Sequence, residues 1–350
     1  MESIIKRFNP DNKKLFASSH SITTIEMHTG GEPLRIFVNG LPEINGKTIL
    51  EKRRFFSENY DFIRTGTMFE PRGHADMYGA VITDPVTPGA DFGTFFMHNE
   101  GYSTMCGHAI IALTKMALET GLIIKDSENP VLEIDAPPGR IRAMATMENG
   151  KVKEVSFLNV PSFLLIRDET VEIKGIGKVR FDVAYGGAFY AICDAKELDL
   201  NLDYTDYHKL IDYGRRIKHA VMDNFSIVHP FEDDLSFLYG TIFIGDPYDH
   251  KNWSRNVCIF AEGEVDRSAT GSGVSARAGL HHAKRELIPN RKVTIESILG
   301  TTMDVEIVDL VKYGEFDAVI PQVTGKAWFT GQNEFWFDPE DPLGKGFIFR

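Results

Sequence analysis

Tyr102-Ser103-Thr104-Met105-Cys106-Gly107-His108-Ala109-Ile110-Ile111 sets a single thiol directly ahead of a run that reads as a helix. Ile110, Leu113, Met116, Ala117 and Leu118 keep helical spacing, and Gly121 stands where a helix stops. A sulfur at that end of a helix meets unpaired backbone N–H groups and the positive end of the macrodipole, both of which favour thiolate over thiol. Cys106 is therefore expected to have a lowered pKa and to serve as base or nucleophile. A lone Cys among apolar residues is more often a small buried hydrophobe, so its weight depends on what else the chain carries.

A second stretch repeats the layout. In Glu264-Val265-Asp266-Arg267-Ser268-Ala269-Thr270-Gly271-Ser272-Gly273-Val274-Ser275-Ala276-Arg277, Thr270 aligns with Cys106, Gly271 with Gly107, Ser272 with His108 and Val274 with Ile110. Each copy follows a strand-like run, Phe92 to His98 or Asn256 to Ala261, through a short loop holding a Glu-Gly pair. Two such units predict two similar lobes. If their helix N-termini face one another, the free N–H groups jointly hold a carboxylate while Cys106 and Thr270 reach opposite faces of the carbon that bears it. That arrangement suits chemistry at the α-carbon of an amino acid.

The 350 residues, 43% of them apolar, suffice for two domains with cores. A net charge of −12 without a Lys/Arg cluster argues against nucleic-acid or anionic-membrane binding. Cys106, Cys193 and Cys258 lie far apart without Cys/His ligand spacing, so neither a disulfide framework nor a metal site is expected, and reduced thiols point to the cytoplasm. Met1 to Phe16 has no apolar core of a leader, and no segment offers the run of about 18 apolar residues that a membrane-crossing helix needs.

Along the chain, residues 1–20 read as a loosely ordered lead-in, Ser21 to Met27 as a strand entering the turn His28-Thr29-Gly30-Gly31-Glu32-Pro33, and Thr48 to Phe62 as a surface helix. Met68 to Val81 reads equally as a loop lining a cleft or as a solvated hairpin holding an Arg–Asp pair. Strands are expected at Val131 to Asp135, Arg140 to Met147 and Val152 to Val160, then on both sides of Tyr185-Gly186-Gly187-Ala188-Phe189-Tyr190, where packing against a neighbouring strand is favoured over ligand contact. Thr205 to Asn224 is an amphipathic helix, and strands dominate after the Thr270 helix. Many strands with few helices lack the regular rhythm of a doubly wound sheet, so the fold class is α+β, each lobe a mixed sheet wrapped around one central helix. The first lobe is expected over 21–158, carrying Cys106 and completed by 333–350; the second over 159–332, carrying Asp266 and Thr270.

Removing an α-proton from an amino acid needs a placed base and stabilisation of the resulting enolate. No lysine context for a pyridoxal cofactor is evident, so no cofactor is expected. Asp266 stands where it pairs with a substrate ammonium, or alternatively caps its own loop or pairs with Arg267. His281-His282 reads as a solvated pair rather than a metal site, Cys193 and Cys258 as structural, and Thr270-Gly271-Ser272-Gly273 lacks the lysine of a phosphate loop.

Met105-Cys106-Gly107-His108 and Asp266-Arg267-Ser268-Ala269-Thr270-Gly271-Ser272-Gly273, with His28 to Pro33 and Glu70-Pro71-Arg72-Gly73-His74, resemble the proline racemase family from about Ser21 to the C-terminus. The resemblance implies a cofactor-independent enzyme on a diaminopimelate-epimerase-like fold, two pseudo-symmetric lobes with the site between them, often a homodimer, and a small amino acid as substrate. It implies Cys106 as proton acceptor, Gly107 and His108 on the substrate carboxylate, Asp266 on the ring nitrogen, and Gly271 with Ser272 completing the cradle.

The departures are informative. Family racemases and hydroxyproline epimerases use two thiols, and the second belongs where Thr270 stands; an alcohol, far less acidic than a thiol, is no comparable base. Ala269 in place of the more usual Pro is a minor difference. The Cys/Thr pair resembles the branch of the family that dehydrates trans-3-hydroxy-L-proline, whose C3 hydroxyl shares a ring face with the α-hydrogen, so that one base suffices. Racemisation of proline, epimerisation of 4-hydroxyproline, and a non-catalytic binding role remain the alternatives to that expectation.

Overall fold

The computed structural model describes residues 20–349, so the lead-in expected over residues 1–20 lies outside the described residues except for His20, which opens the first strand. In chain order the first series is β1 (His20–Thr29), β2 (Glu32–Asn39), α1 (Ile49–Met68), β3 (Gly79–Thr83), β4 (Phe92–Met97), β5 (Tyr102–Ser103), α2 (Gly107–Glu119), β6 (Val131–Ala136), β7 (Gly139–Glu148) and β8 (Lys151–Leu158). After β9 (Phe163–Ile173) comes a second series: β10 (Gly177–Tyr185), β11 (Phe189–Asp194), α3 (Tyr207–Asn224), β12 (Leu238–Gly245), β13 (Ser254–Phe260), β14 (Glu264–Val265), α4 (Gly271–Ala283), β15 (Val293–Glu296), β16 (Thr302–Tyr313) and β17 (Phe316–Gly325). The strand β18 (Ala327–Phe337) follows.

The second series repeats the first element for element, and its pairings repeat too. β1–β2, β3–β4, β4–β5, β6–β7 and β7–β8 are antiparallel while β2–β3 and β4–β6 are parallel. The same directions hold for β10–β11, β12–β13, β13–β14, β15–β16 and β16–β17, and for β11–β12 and β13–β15. β18 pairs antiparallel with β1, and β9 does so with β10. β8 and β17 pair with each other, Phe157 opposite Val323, so one sheet runs through both halves. This is the α+β class with mixed sheet and few helices.

Each series wraps a helix buried nearly all round, as apolar periodicity without a polar face requires. α2 packs on β1, β2, β7, β8 and β18, and α4 on β9, β10, β11, β16 and β17. Ile110, Ile111 and Leu113 from α2 and Val274, Ala276 and Leu280 from α4 share one continuous core. In β7 the inward positions Ile141, Ala143 and Ala145 alternate with more exposed ones, and the Asn149-Gly150 turn into β8, with φ of 53° and 74°, has the left-handed backbone of a tight hairpin.

The expected surface helix starts at its Thr48 cap but runs on to Met68 and is not purely a surface element: Phe56, Ile63 and Met68 form a second, smaller core with Phe37, Val81 and Phe95. Gly186 takes the packing role: a Cβ there would lie 2.3 Å from both Ala276 N and Ser272 O of α4, so the strand end and the helix meet backbone to backbone.

Candidate active site

The repeat brings the N-termini of α2 and α4 into direct contact. A Cβ added at Gly107 would fall 2.5 Å from the Gly271 Cα, and one at Gly271 would fall 2.6 Å from the Gly107 Cα. Only glycine at both tips allows that approach. The first-turn N–H groups of both helices, which have no acceptor within their own helix, therefore point into one region. Cys106 and Thr270 are the residues that cap the two helices, and Cys106, Gly107, His108, Asp266, Thr270, Gly271 and Ser272 all line the same cavity.

Cys106 accepts from the Ala109 N–H at 3.4 Å, and the His108 Nδ1 lies 3.2 Å from its sulfur. The expected lowering of the thiol pKa does not hold in this closed site. Burial pushes the thiol well up; the Ala109 N–H and the neighbouring Tyr78 hydroxyl draw it down, while the nearby Asp266 and Glu32 carboxyls add to the rise. A helix end favours an anion only by a modest amount, which does not offset removal from water. His108, also buried, is neutral with its pKa lowered to about 3, so it is no base for the thiol. Its side chain faces the sulfur, and its carbonyl accepts from the Thr29 hydroxyl at 2.8 Å.

Asp266 is fully buried and accepts from the Ser268 N–H at 2.7 Å; burial raises its carboxyl to about 6 against the hydrogen bonds that lower it. It does not pair with Arg267. That guanidinium crosses to Asp76 at 2.8 Å, and the Arg267 N–H donates to Glu32 at 2.6 Å. The stretch 68–81 thus lines the site, supplying Tyr78, and its Arg–Asp partner comes from the other half of the chain; Arg72 points away, to the Trp336 carbonyl at 3.1 Å and Asp341. The turn at Gly30 and Gly31 packs on Ser268 and Arg267, which explains its compact shape.

Thr270 holds φ at 64°, an uncommon conformation for a β-branched residue. Its buried hydroxyl makes no well-formed hydrogen bond among the described residues, though it lies close enough to ease the effect of burial on Asp266. The Ser272 hydroxyl is paired with that of Tyr190 at 2.7 Å.

Sequence reasoning missed the aromatic wall. Tyr78, Tyr190, Tyr239 and Phe260 complete the lining with Met105. Tyr78 meets His108 edge-on at 4.9 Å between centroids, and Tyr239 stacks on Phe260 at 5.4 Å. These rings come from the 68–81 loop and from β11, β12 and β13, outside the two motifs, so only the polar groups at the helix tips had a local signal. The cavity offers about 10 Å³, room for at most one water rather than an amino acid.

His281 is not solvated. It is buried edge-on to Trp253, with Nδ1 2.5 Å from Glu286, while His282 Nδ1 lies 3.2 Å from the Leu287 carbonyl. Cys193 and Cys258 are buried in β11 and β13. Among the described residues no cluster of three or more His, Cys, Asp or Glu could hold a metal ion, and no helix is long and apolar enough to cross a membrane.

Two like halves meeting through helix N-termini over a buried thiol and a buried carboxyl define the class: an α+β protein with its candidate site at the junction of an internal repeat. The model of the proline racemase family matches residues 24–348, and the chain belongs to that family. A trans-3-hydroxy-L-proline dehydratase of Colwellia psychrerythraea is 53% identical over 330 residues, covering 94% of this chain and 93% of that protein. A proline racemase of Clostridioides difficile is 42% identical over 334 residues, covering 95% and 99%. The crystal structure of a hydroxyproline epimerase from Agrobacterium vitis with bound trans-4-hydroxy-L-proline gives a TM-score of 0.89 at 26% identity, covering 94% and 96%.

Proposed function

We propose that this protein is a cofactor-independent hydro-lyase that dehydrates trans-3-hydroxy-L-proline to Δ2-pyrroline-2-carboxylate, which tautomerises to the Δ1 imine. The observation that carries the proposal is that Cys106 and Thr270 occupy equivalent helix tips of a repeated fold, a thiol on one and an alcohol on the other. A two-base inversion needs comparable acids on both faces of the α-carbon; an elimination whose hydrogen and hydroxyl leave from one face does not. The 53% identity to a named dehydratase supports the same reading.

In this mechanism the substrate carboxylate rests on the first-turn N–H groups of Gly107, His108, Gly271 and Ser272, and ionised Asp266 accepts from the ring nitrogen. The Cys106 thiolate forms while the site is open to water and is then held by the Ala109 N–H and Tyr78. It removes the α-proton; the electron pair moves onto the carboxylate, where the helix ends stabilise the enolate, and returns to form the Cα–C3 double bond as the C3–O bond breaks. Because the closed cavity does not hold an amino acid, substrate enters as the two halves part. We take those halves as lobes of 21–158 with 333–350 and of 159–332; the pairing of β18 with β1 supports return of the C-terminal strand to the first lobe, with that strand beginning already at Ala327. A homodimer is part of the proposal on family resemblance alone, and a cytoplasmic setting rests on three unpaired cysteines.

The test is incubation of purified protein with trans-3-hydroxy-L-proline, following the cyclic imine by o-aminobenzaldehyde or NMR. Imine formed by the wild type and lost in Cys106→Ser supports the proposal; unchanged substrate refutes it.

A further inference from the structure

Hydroxide is a poor leaving group, so the elimination needs an acid at C3 as well as a base at Cα. That acid must stand on the Cys106 side, where the leaving hydroxyl lies. Most polar groups around the cavity are already committed. Ser272 and Tyr190 hydrogen-bond to each other, Ser103 donates to the Met105 carbonyl at 2.9 Å, and the His108 ring lies against the sulfur. Asp266 is assigned to the ring nitrogen, and the Thr270 hydroxyl, although without a well-formed hydrogen bond among the described residues, belongs to the helix tip opposite Cys106. Two phenols remain. Tyr78 lies beside the Cys106 sulfur. Tyr239 lines the cavity, and its hydroxyl is buried without a well-formed hydrogen bond among the described residues. The hydroxyls of Ser103 and Tyr78, from the half that carries Cys106, lie close enough to act on it, as does Tyr190 from its own half, edge-on at 5.9 Å between ring centroids. Its ring is fixed, stacked on Phe260 and tilted against His98 at 5.5 Å, so the hydroxyl cannot swing to a partner elsewhere.

Resting on the dehydration reading, we propose that Tyr239 is the general acid of the reaction: its phenol protonates the departing C3 hydroxyl, and Tyr78 links it back to Cys106. The balance closes within the site. Cys106 gains the α-proton. The C3–O bond breaks with its electron pair on oxygen, which takes the Tyr239 proton and leaves as water. The resulting phenolate recovers a proton from the Cys106 thiol through the Tyr78 hydroxyl, which regenerates thiolate and phenol. Burial holds the Tyr239 phenol well above its ordinary pKa, so it enters the cycle protonated.

The experiment compares Tyr239→Phe, which keeps the stacked ring, with wild type in D2O on two substrates: trans-3-hydroxy-L-proline and trans-3-fluoro-L-proline, whose fluoride leaves without an acid. On the hydroxy substrate the variant is expected to lose about 10²-fold or more in imine formation, while recovered substrate gains deuterium at the α-carbon, because Cys106 still works. On the fluoro substrate it is expected to match wild type, which also shows that it is folded. Retained imine formation from the hydroxy substrate overturns the assignment, and so does an equal loss on both substrates. If wild type itself forms no imine, the dehydration reading falls and takes this assignment with it.

Discussion

Replacing Gly271 by alanine tests whether contact between the two helix ends sets the reaction geometry. The new methyl carbon would sit 2.6 Å from the Gly107 Cα, 3.0 Å from the Gly107 carbonyl carbon and 3.3 Å from the His108 nitrogen. All three are backbone atoms, so no side chain can swing aside. Non-bonded carbons settle at about 3.5–4.0 Å, so the helix tips must separate by about 1 Å. Overpacking of this kind costs about 1–3 kcal/mol of stability, and a displacement of about 1 Å at a reacting centre costs about 10²-fold in rate. Steady-state kinetics of dehydration and a thermal melt on the same preparation measure both. The two tips share one distance, so Gly107→Ala is expected to behave alike, and the double variant to lose less than the sum of the two. If Gly271→Ala keeps kcat/KM within about three-fold of wild type, a change too small to reflect an ångström-scale shift, the helix-end cradle does not position the substrate.

Other outcomes follow from individual side chains. Cys106→Ser is expected to lose about 10²–10⁴-fold in kcat, the usual worth of a placed base, with substrate still protecting the protein against thermal unfolding. Thr270→Ala is expected to stay within about ten-fold of wild type in imine formation, far less than loss of a placed base; a loss matching that of Cys106→Ser would give Thr270 a proton-transfer role. Asp266 must be ionised to hold the ring nitrogen, and burial sets its carboxyl at about 6. Accordingly kcat/KM should fall about ten-fold per unit as pH drops below that value, a slope that Asp266→Asn removes. The sign for folding is opposite. The folded pKa exceeds the ordinary 3.8, so this group stabilises the fold on acidification through that window, a trend that urea titrations of wild type and Asp266→Asn can separate.

The parts legible in sequence were those with a local period or a repeated motif. Cys106 and Thr270 were matched by aligning two short stretches, and α2, α4 and most strand positions followed from apolar spacing. The register of β18 on β1 was not legible, since pairing partners far apart in sequence leave no local mark, although the return of the chain's end to the first lobe was expected. Nor was the rise in the Cys106 pKa. The sequence shows a helix end, whereas the sign depends on how completely Tyr78, Tyr239, Phe260 and their neighbours exclude water. His281 misled for a related reason: its burial is decided by Trp253 and Glu286, brought to it by strand and loop rather than by its own helix.

The central claim is a single competent base on one face of the α-carbon. Its most direct measurement is NMR of L-proline and D-proline held separately in D2O with the enzyme. L-proline is predicted to take up α-deuterium with retention of configuration, while D-proline stays protonated and neither enantiomer converts to the other. Appearance of D-proline from L-proline would mean that a second acid works opposite Cys106, and would contradict the account.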